Sequence, residues 1–370
     1  MTSISNQAPM IPLVKVAMPP KGVLMPALES VLYGGMIAEG EHVYRFEEMF
    51  SERFGLPGTL ATSSGTGALH IALELAGAGP GTEIITTSMT AEPTNTTILQ
   101  VGATPVFADV DPLTGNLDPV SVERLITSST KAICVVHYAG YPVDLGALRR
   151  IADTHSIALV EDCAHALGAK YNGQSVGATG DSAIFSFQAI KHMTTVDGGA
   201  LVLKDPAQIP EAKRLRWFGL TKGVPRTEVD IQKPGYKYNM SNVAGILGQK
   251  QLLGIDALLA RHIANGRYYD AELSSVPGIQ PAVIPQGAEP SYWLYTLLAD
   301  DSDDVERRLA DIGVMASKLH RPNHFHSVFA PYRREMPGLD AFYRRLVHIP
   351  CGWWVGDEDR ARIADALKLG

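Results

Sequence analysis

Lys191 stands just beyond an apolar alternation, Ala183, Ile184, Phe185 and Phe187, inside the stretch DSAIFSFQAIKHMTTVDGG. The alternation predicts a buried strand, and Thr194, Thr195 and the turn Asp197-Gly198-Gly199 mark the return of the chain. A lysine delivered there faces a partly enclosed site. Burial penalises its ammonium form, lowers its pKa and leaves an amine able to form a Schiff base with an aldehyde. Taken alone, a lysine at a strand end more often snorkels to water, so the weight falls on its companions.

The run Val160-Glu161-Asp162-Cys163-Ala164-His165-Ala166 ends a second apolar strand in a carboxylate. Asp162 is costly there unless it meets donors or a cation. A protonated pyridine nitrogen is such a cation, and holding it protonated makes the ring an electron sink. By itself the motif reads equally as a helix cap or a structural ion pair. His165 could hydrogen-bond a ring substituent, although a lone histidine is more often structural. Ser63-Ser64-Gly65-Thr66-Gly67-Ala68 lies between a strand end and a helix start, where free N–H groups and the helix dipole can hold a phosphate. A serine-glycine cap without a ligand is the commoner meaning of that sequence. Ser186 points away from the face of Phe185 and Phe187 and could touch the same phosphate.

The elements that must position these groups are an alternation of strands and helices. Strands are expected at 59–63, 83–87, 105–109, 132–137, 158–162, before Lys191 and at 200–203. Helices are expected at 41–54, 65–78, 93–101, 119–126 and 145–155. Such alternation implies crossover connections and a mostly parallel sheet covered by helices on both faces. Ligands from separate strand ends of one sheet are the usual pattern of an α/β site. After Trp217 the texture changes to a polar passage at 221–234 and the phrase GYKYNMSN. A long helical pattern from Val243 then leads into a second lobe, with a strand at 291–299 and a helix at 305–312. The boundary falls near residue 250, giving a large α/β domain with an N-terminal arm over 1–250 and a small domain over 251–370. The arm itself, residues 1 to about 25, carries four prolines and no helical period; arms of this kind often cross a neighbouring subunit.

Composition narrows the classes. Of 370 residues 45% are apolar and 19% charged, a globular balance, and the net charge of −7 with no basic run argues against a nucleic-acid binder. Cys134, Cys163 and Cys351 are odd in number and widely spaced, which argues against disulfide scaffolding and a cysteine zinc site and for a reducing compartment. No signal-peptide core or uninterrupted apolar span is present, so no membrane partner and a cytoplasmic location are expected. His320, Arg321, Asn323, His324 and His326 form a dense polar cluster. No carboxylate or cysteine completes a metal site there at familiar spacing, so no metal is expected. The cluster reads as a loop near a substrate mouth or, more simply, as a solvated loop.

The segments SSGTGALHIALELAGAGPGTEII, GATPVFADVD, EDCAHALGA, FSFQAIKHMTTVDGG, RWFGL and GYKYNMSNVAGILGQKQL resemble, in order, those of the DegT/DnrJ/EryC1/StrS aminotransferases. The resemblance runs from about residue 25 to 360. It implies the aspartate aminotransferase-like fold type I, with a smaller C-terminal α+β domain, and pyridoxal 5′-phosphate (PLP), alternating with pyridoxamine phosphate (PMP), as cofactor. It implies Lys191 as the residue joined to the cofactor and then the proton shuttle, Asp162 on the pyridine nitrogen, and His165 on the ring hydroxyl. Gly65, Thr66 and Ser186 would hold the phosphate, and Ala164 would pack on one ring face. The phrase matching GYKYNM reaches a partner's site in the family, making Lys237 and Asn239 cross-subunit candidates and the chain a homodimer. His320 is a substrate-side candidate.

Two departures stand out. Many members stack an aromatic ring on the cofactor at the position matching Ala91; losing it removes about 0.5–1.5 kcal/mol of stacking. Either another residue covers that face or the match shifts there. Many members also carry asparagine and arginine where this chain has Lys237 and Asn239.

The activity implied is a ping-pong aminotransferase that moves an amino group from an amino acid, by analogy L-glutamate, to a keto sugar, most often nucleotide-linked. A keto cyclitol or free keto sugar is the alternative acceptor. Related sugar dehydratases replace the lysine by histidine, whereas this chain keeps Lys191 and follows it with His192. A non-catalytic cofactor-binding regulator has no chemical need to keep Lys191, Asp162 and Ser186 together.

Overall fold

In the strands Glu83–Thr87, Thr130–Val136 and Ala158–Asp162 nearly every residue is buried, the signature of a sheet covered on both faces. The computed structural model describes residues 10–369. Its strands, in chain order, are β1 (Thr59–Thr62), β2 (Glu83–Thr87), β3 (Thr104–Ala108), β4 (Thr130–Val136) and β5 (Ala158–Asp162). The two-residue β6 (Lys170–Tyr171) and β7 (Gln174–Ser175) precede β8 (Ser182–Ser186) and β9 (Gly199–Leu203). β10 (Ile279–Pro281), β11 (Ala288–Glu289), β12 (Tyr295–Ala299) and β13 (Leu346–Ile349) follow.

The main sheet has the order β1-β9-β8-β5-β4-β2-β3. β3, β2, β4, β5 and β8 pair in parallel, while β9 runs antiparallel to both β8 and β1. The carboxyl ends of β1, β5 and β8 therefore meet the amino end of β9 on one edge. Side chains of β4 alternate between two cores. Ile133 and Val135 join Phe46, Phe50, Phe185 and Phe187 on one face, and Ala132 and Cys134 join Ile71 and Leu73 on the other. The helix Glu41–Phe54 contributes Phe46 and Phe50, whose rings meet Phe187 and Phe185 edge-on at 5.4 and 5.2 Å.

The long helical pattern after Val243 breaks at Gly254 into helices Asn242–Leu252 and Ile255–Leu273, bent by 58°. No single helix among the described residues is long and apolar enough to cross a membrane. Beyond them β10, β12 and β13 form a small antiparallel sheet packed against helices Ser302–Asp311, Pro337–Arg345 and Asp357–Lys368.

The N-terminal arm falls partly outside the described residues, since 1–9 are not among them. The arm packs on this chain at two places: the N–H of Ile11 donates to the Gly313 carbonyl at 2.8 Å and that of Met315 to the Ile11 carbonyl at 2.9 Å, and the Gln251 amide donates to the Ala17 carbonyl at 2.8 Å. The first helix runs over Lys21–Tyr33 and keeps Pro26 inside. Pro26 has no N–H for the Gly22 carbonyl, a loss confined to the first turn and a half. The three cysteines are free and buried.

Candidate active site

Helix Gly65–Leu75 begins directly after β1, capped by Ser64, whose hydroxyl accepts the Gly67 N–H at 3.0 Å. A helix leaves its first-turn N–H groups without internal partners, and here those of Gly65 and Thr66 open on a cavity. Two glycines allow this close approach. A Cβ on Gly65 would lie 3.0 Å from Ser186 Cβ, and one on Gly199 would lie 2.5 Å from the Gly65 nitrogen. Gly199→Ala should therefore push the helix start off the sheet. A loss of about 1–3 kcal/mol is expected in urea unfolding, together with weaker phosphate binding.

β5 carries the carboxylate to the same cavity. Asp162 Oδ1 accepts from the Ala164 N–H at 3.0 Å and Oδ2 from the Thr94 hydroxyl at 2.9 Å. Burial raises its pKa, and the Ala164 amide, the Thr94 hydroxyl and the field of Lys191 offset that only in part. Asp162 is thus a buried carboxyl in need of a cation.

Lys191 enters between β8 and β9 and is half-buried. Burial lowers its pKa to about 8, against the opposing pull of Asp162. Its Nζ lies 4.2 Å from the centre of the Trp293 ring. His165 stacks on the same indole at 4.1 Å and 22°, and its Nδ1 is buried without a hydrogen-bond partner among the described residues. Burial first, and then the charges of Lys191 and His320, hold His165 well below the usual histidine pKa, so the imidazole is neutral.

The cavity is about 350 Å³, within the range of small-ligand sites. Gly65, Thr66, Ala91, Asp162, Ala164, His165, Ser186, Lys191 and His320 all line it. Lys237 and Asn239 do not. They lie on an extended segment that bridges β1 through Thr62 and Asn239, and Lys237 Nζ donates to Asn239 Oδ1 at 2.6 Å.

The polar cluster is not a solvated loop. Asn323 is fully buried and donates to the Thr90 carbonyl at 2.8 Å, and His324 Nδ1 lies 2.8 Å from the Ser88 hydroxyl. These bonds pin the loop onto the 88–95 segment and bring His320 to the cavity wall. Burial lowers the His320 pKa to about 4.

Thr94 and Trp293 are contacts that the motifs did not single out. Thr94 lies in the first turn of the helix Glu92–Gln100 and Thr90 just before that helix; their hydroxyls are 2.9 Å apart. For Trp293 no signal existed, because it belongs to a distant segment. Ligand atoms of His137, Glu161 and Cys163 lie within 4.8 Å of one another. Glu161 already accepts from His137 Nε2 at 3.1 Å and from the N–H groups of Gly177, Thr179 and Gly180. The His137 ring takes its other hydrogen bond from the Val143 N–H at 3.2 Å. This group is a hydrogen-bonded knot behind Asp162, and it fixes the carboxyl end of β5.

A family model, the DegT/DnrJ/EryC1/StrS aminotransferase family, matches residues 22–368. The chain is similar to the sugar aminotransferase CalS13 from Micromonospora echinospora, at 37% identity and a TM-score of 0.94, covering 98% of this chain and 100% of that one. It is similar to AtS13 from Actinomadura melliaura at 36% identity and a TM-score of 0.94, over 98% of this chain and 99% of that one. Spr1654 from Streptococcus pneumoniae, solved in a PLP-form and a PMP-form, matches at 27% identity and a TM-score of 0.90, over 97% of this chain and at least 97% of each of those.

Proposed function

The chain belongs to the DegT/DnrJ/EryC1/StrS aminotransferase family, and from that premise we propose that it transfers an amino group from an amino acid to a keto sugar, using PLP held in the cavity around Lys191. The observation that carries this reading is the convergence, in one cavity, of a lysine with a pKa near 8, a buried carboxyl whose pKa burial has raised and the free N–H groups of a helix start.

The residues fit the cofactor. Asp162 would meet the ring nitrogen, the cation its burial calls for, and the orphaned His165 Nδ1 would meet the ring hydroxyl. Gly65, Thr66 and the Ser186 hydroxyl would hold the phosphate, and Ala164 would pack on a ring face. When bound, PLP supplies an aldehyde carbon that takes up the amino group and a ring that withdraws electrons from it. Lys191 Nζ, titrating near physiological pH, can accept a proton from the substrate carbon and return it. The neutral His165 stays a hydrogen-bonding group and does not compete for that proton. His320 stands on the substrate side. Small Ala91 would leave that side of the ring to His320, the residue of the 320–326 loop that lines the cavity.

The acceptor in this proposal is a nucleotide-linked keto sugar and the donor L-glutamate. The enzyme acts as a homodimer in which Lys237 and Asn239, outside their own cavity, serve the partner's site. A reducing, cytoplasmic setting suits three free buried thiols.

The test is the absorption spectrum of the PLP-loaded protein before and after L-glutamate. The visible band should give way to the near-ultraviolet band of PMP, and a nucleotide-linked keto sugar should reverse the change. A loaded protein blind to every amino donor would overturn the proposal.

A further inference from the structure

Lys191 is bracketed. The residue before it and the residue after it are both tied to one distant segment. The Trp293 Nε1–H donates to the Ile190 carbonyl at 2.8 Å, and His192 Nε2 lies 3.2 Å from the Ser291 carbonyl. Trp293 itself is 2% exposed, and its ring carries both the Lys191 Nζ at 4.2 Å and the stacked His165 ring at 4.1 Å.

The segment that presents the indole is held from several sides. The Leu294 N–H donates to the Ala139 carbonyl at 3.2 Å, the Ser291 N–H to the Gly140 carbonyl at 3.0 Å, and His262 Nδ1 lies 2.8 Å from the Tyr292 carbonyl. Tyr292, immediately before the tryptophan, has a φ of 48°, a left-handed conformation that a tyrosine adopts only when its surroundings impose it. Its hydroxyl donates to Asp270 at 2.5 Å. Gly140 approaches so closely that a Cβ there would lie 2.7 Å from the Trp293 nitrogen. Strain and close packing are concentrated around one indole.

We infer that Trp293 is a positioning residue for amino transfer: its ring is the seat of the Lys191 ammonium whenever Nζ is free and protonated, and its N–H fixes the backbone from which that side chain swings. The inference rests on the aminotransferase reading. Lys191 must hold a proton while its nitrogen is not bonded to the cofactor, and it does so in a site that disfavours charge. An aromatic face offers attraction without a counter-charge that would trap the proton. The titratable groups facing Nζ are Asp162, which favours the ammonium, and His165, His192 and His320, all three held neutral by burial. The indole therefore adds to Asp162 as a second stabiliser of the cation.

The experiment compares wild type, Trp293→Phe and Trp293→Met, each loaded with PMP so that Lys191 is free. Phenylalanine and methionine both lose the N–H, but only phenylalanine keeps a ring face, and methionine is flexible enough to fill the space. Brief acetic anhydride pulses across a pH series, with the Lys191 peptide read by mass spectrometry, give its titration. The methionine variant should titrate about half a unit to one unit lower, and, reloaded with PLP, its single-turnover rate with L-glutamate should fall by about three- to thirtyfold with little change in the donor's half-saturating concentration. The phenylalanine variant should stay close to wild type in the titration. A structural role alone would lower melting temperatures and leave the Lys191 titration where it was.

The inference is overturned if the methionine variant titrates like wild type, or if phenylalanine shifts Lys191 as far as methionine. Trp293→Leu takes over the comparison if methionine does not fold. If wild type binds the cofactor and reacts with no donor, the aminotransferase reading fails separately, and the titration still decides the contact.

Discussion

Lys191→Ala should leave a folded protein that binds the cofactor and has lost amino transfer, with single-turnover rates down by at least about 10⁴-fold. Two functions disappear together, the covalent hold on the cofactor and the group that moves the proton. The fold should tolerate the change. Lys191 is half-buried, its ammonium is disfavoured by burial, and its nearest attractions are an aromatic face and a carboxyl at longer range. Removing it relieves a desolvated charge, so melting should stay near wild type. Methylamine or another small primary amine should restore a minor fraction of the rate in the variant and none in wild type. A variant that keeps full activity would sink the central assignment.

Asp162→Asn is the second large effect. The substitution conserves shape: an amide oxygen can still accept from the Ala164 N–H, and the amide nitrogen can donate to the Thr94 hydroxyl, which now accepts. Only the charge is lost. Without a carboxylate against the ring nitrogen the cofactor is a poorer electron sink, and kcat should fall by roughly 10²–10³-fold, the scale of losing one preorganised electrostatic partner. The cofactor-free protein should move the other way and melt at or above the wild-type temperature, because burial makes this carboxylate unfavourable while it lacks a cation. Opposite signs in activity and stability would mark a residue kept for chemistry. A fall in both would make Asp162 a structural group.

Much of this site was legible because it is local in sequence. Each of β1, β5 and β8 is a short apolar run ending in its own polar residue, so Ser64, Asp162, Ser186 and Lys191 could be read from strand ends without any tertiary knowledge. The parallel sheet followed from the spacing of those runs. What the chain did not announce depends on long-range packing. β9 is antiparallel, which a single strand cannot reveal about itself. Trp293 reaches Lys191 across about a hundred positions, and its strand begins only at Tyr295 because 291–294 are engaged with Ala139 and Gly140 instead. The 320–326 loop looked solvated because its residues are polar. Buried polar residues read the same in sequence as exposed ones until Asn323 and His324 are seen to have partners.

The antiparallel course of β9 has a consequence for motion. The segment bearing Lys191 leaves the sheet at Ser186 and returns at Gly199, two residues paired with each other, and the Phe187 N–H closes the gap on the Gly198 carbonyl at 2.8 Å. The lysine therefore rides on a cinched loop whose ends belong to one sheet. Its indole seat belongs to another part of the chain, the run feeding β12. Breathing between these two parts would lift the tryptophan from the ammonium and from the Ile190 carbonyl while the paired ends of the loop stayed together. Such breathing would release Ile190 and His192 at the middle of the loop and leave its cinched ends closed, and amide exchange should show Phe187 and Thr195 more slowly exchanging than Leu294.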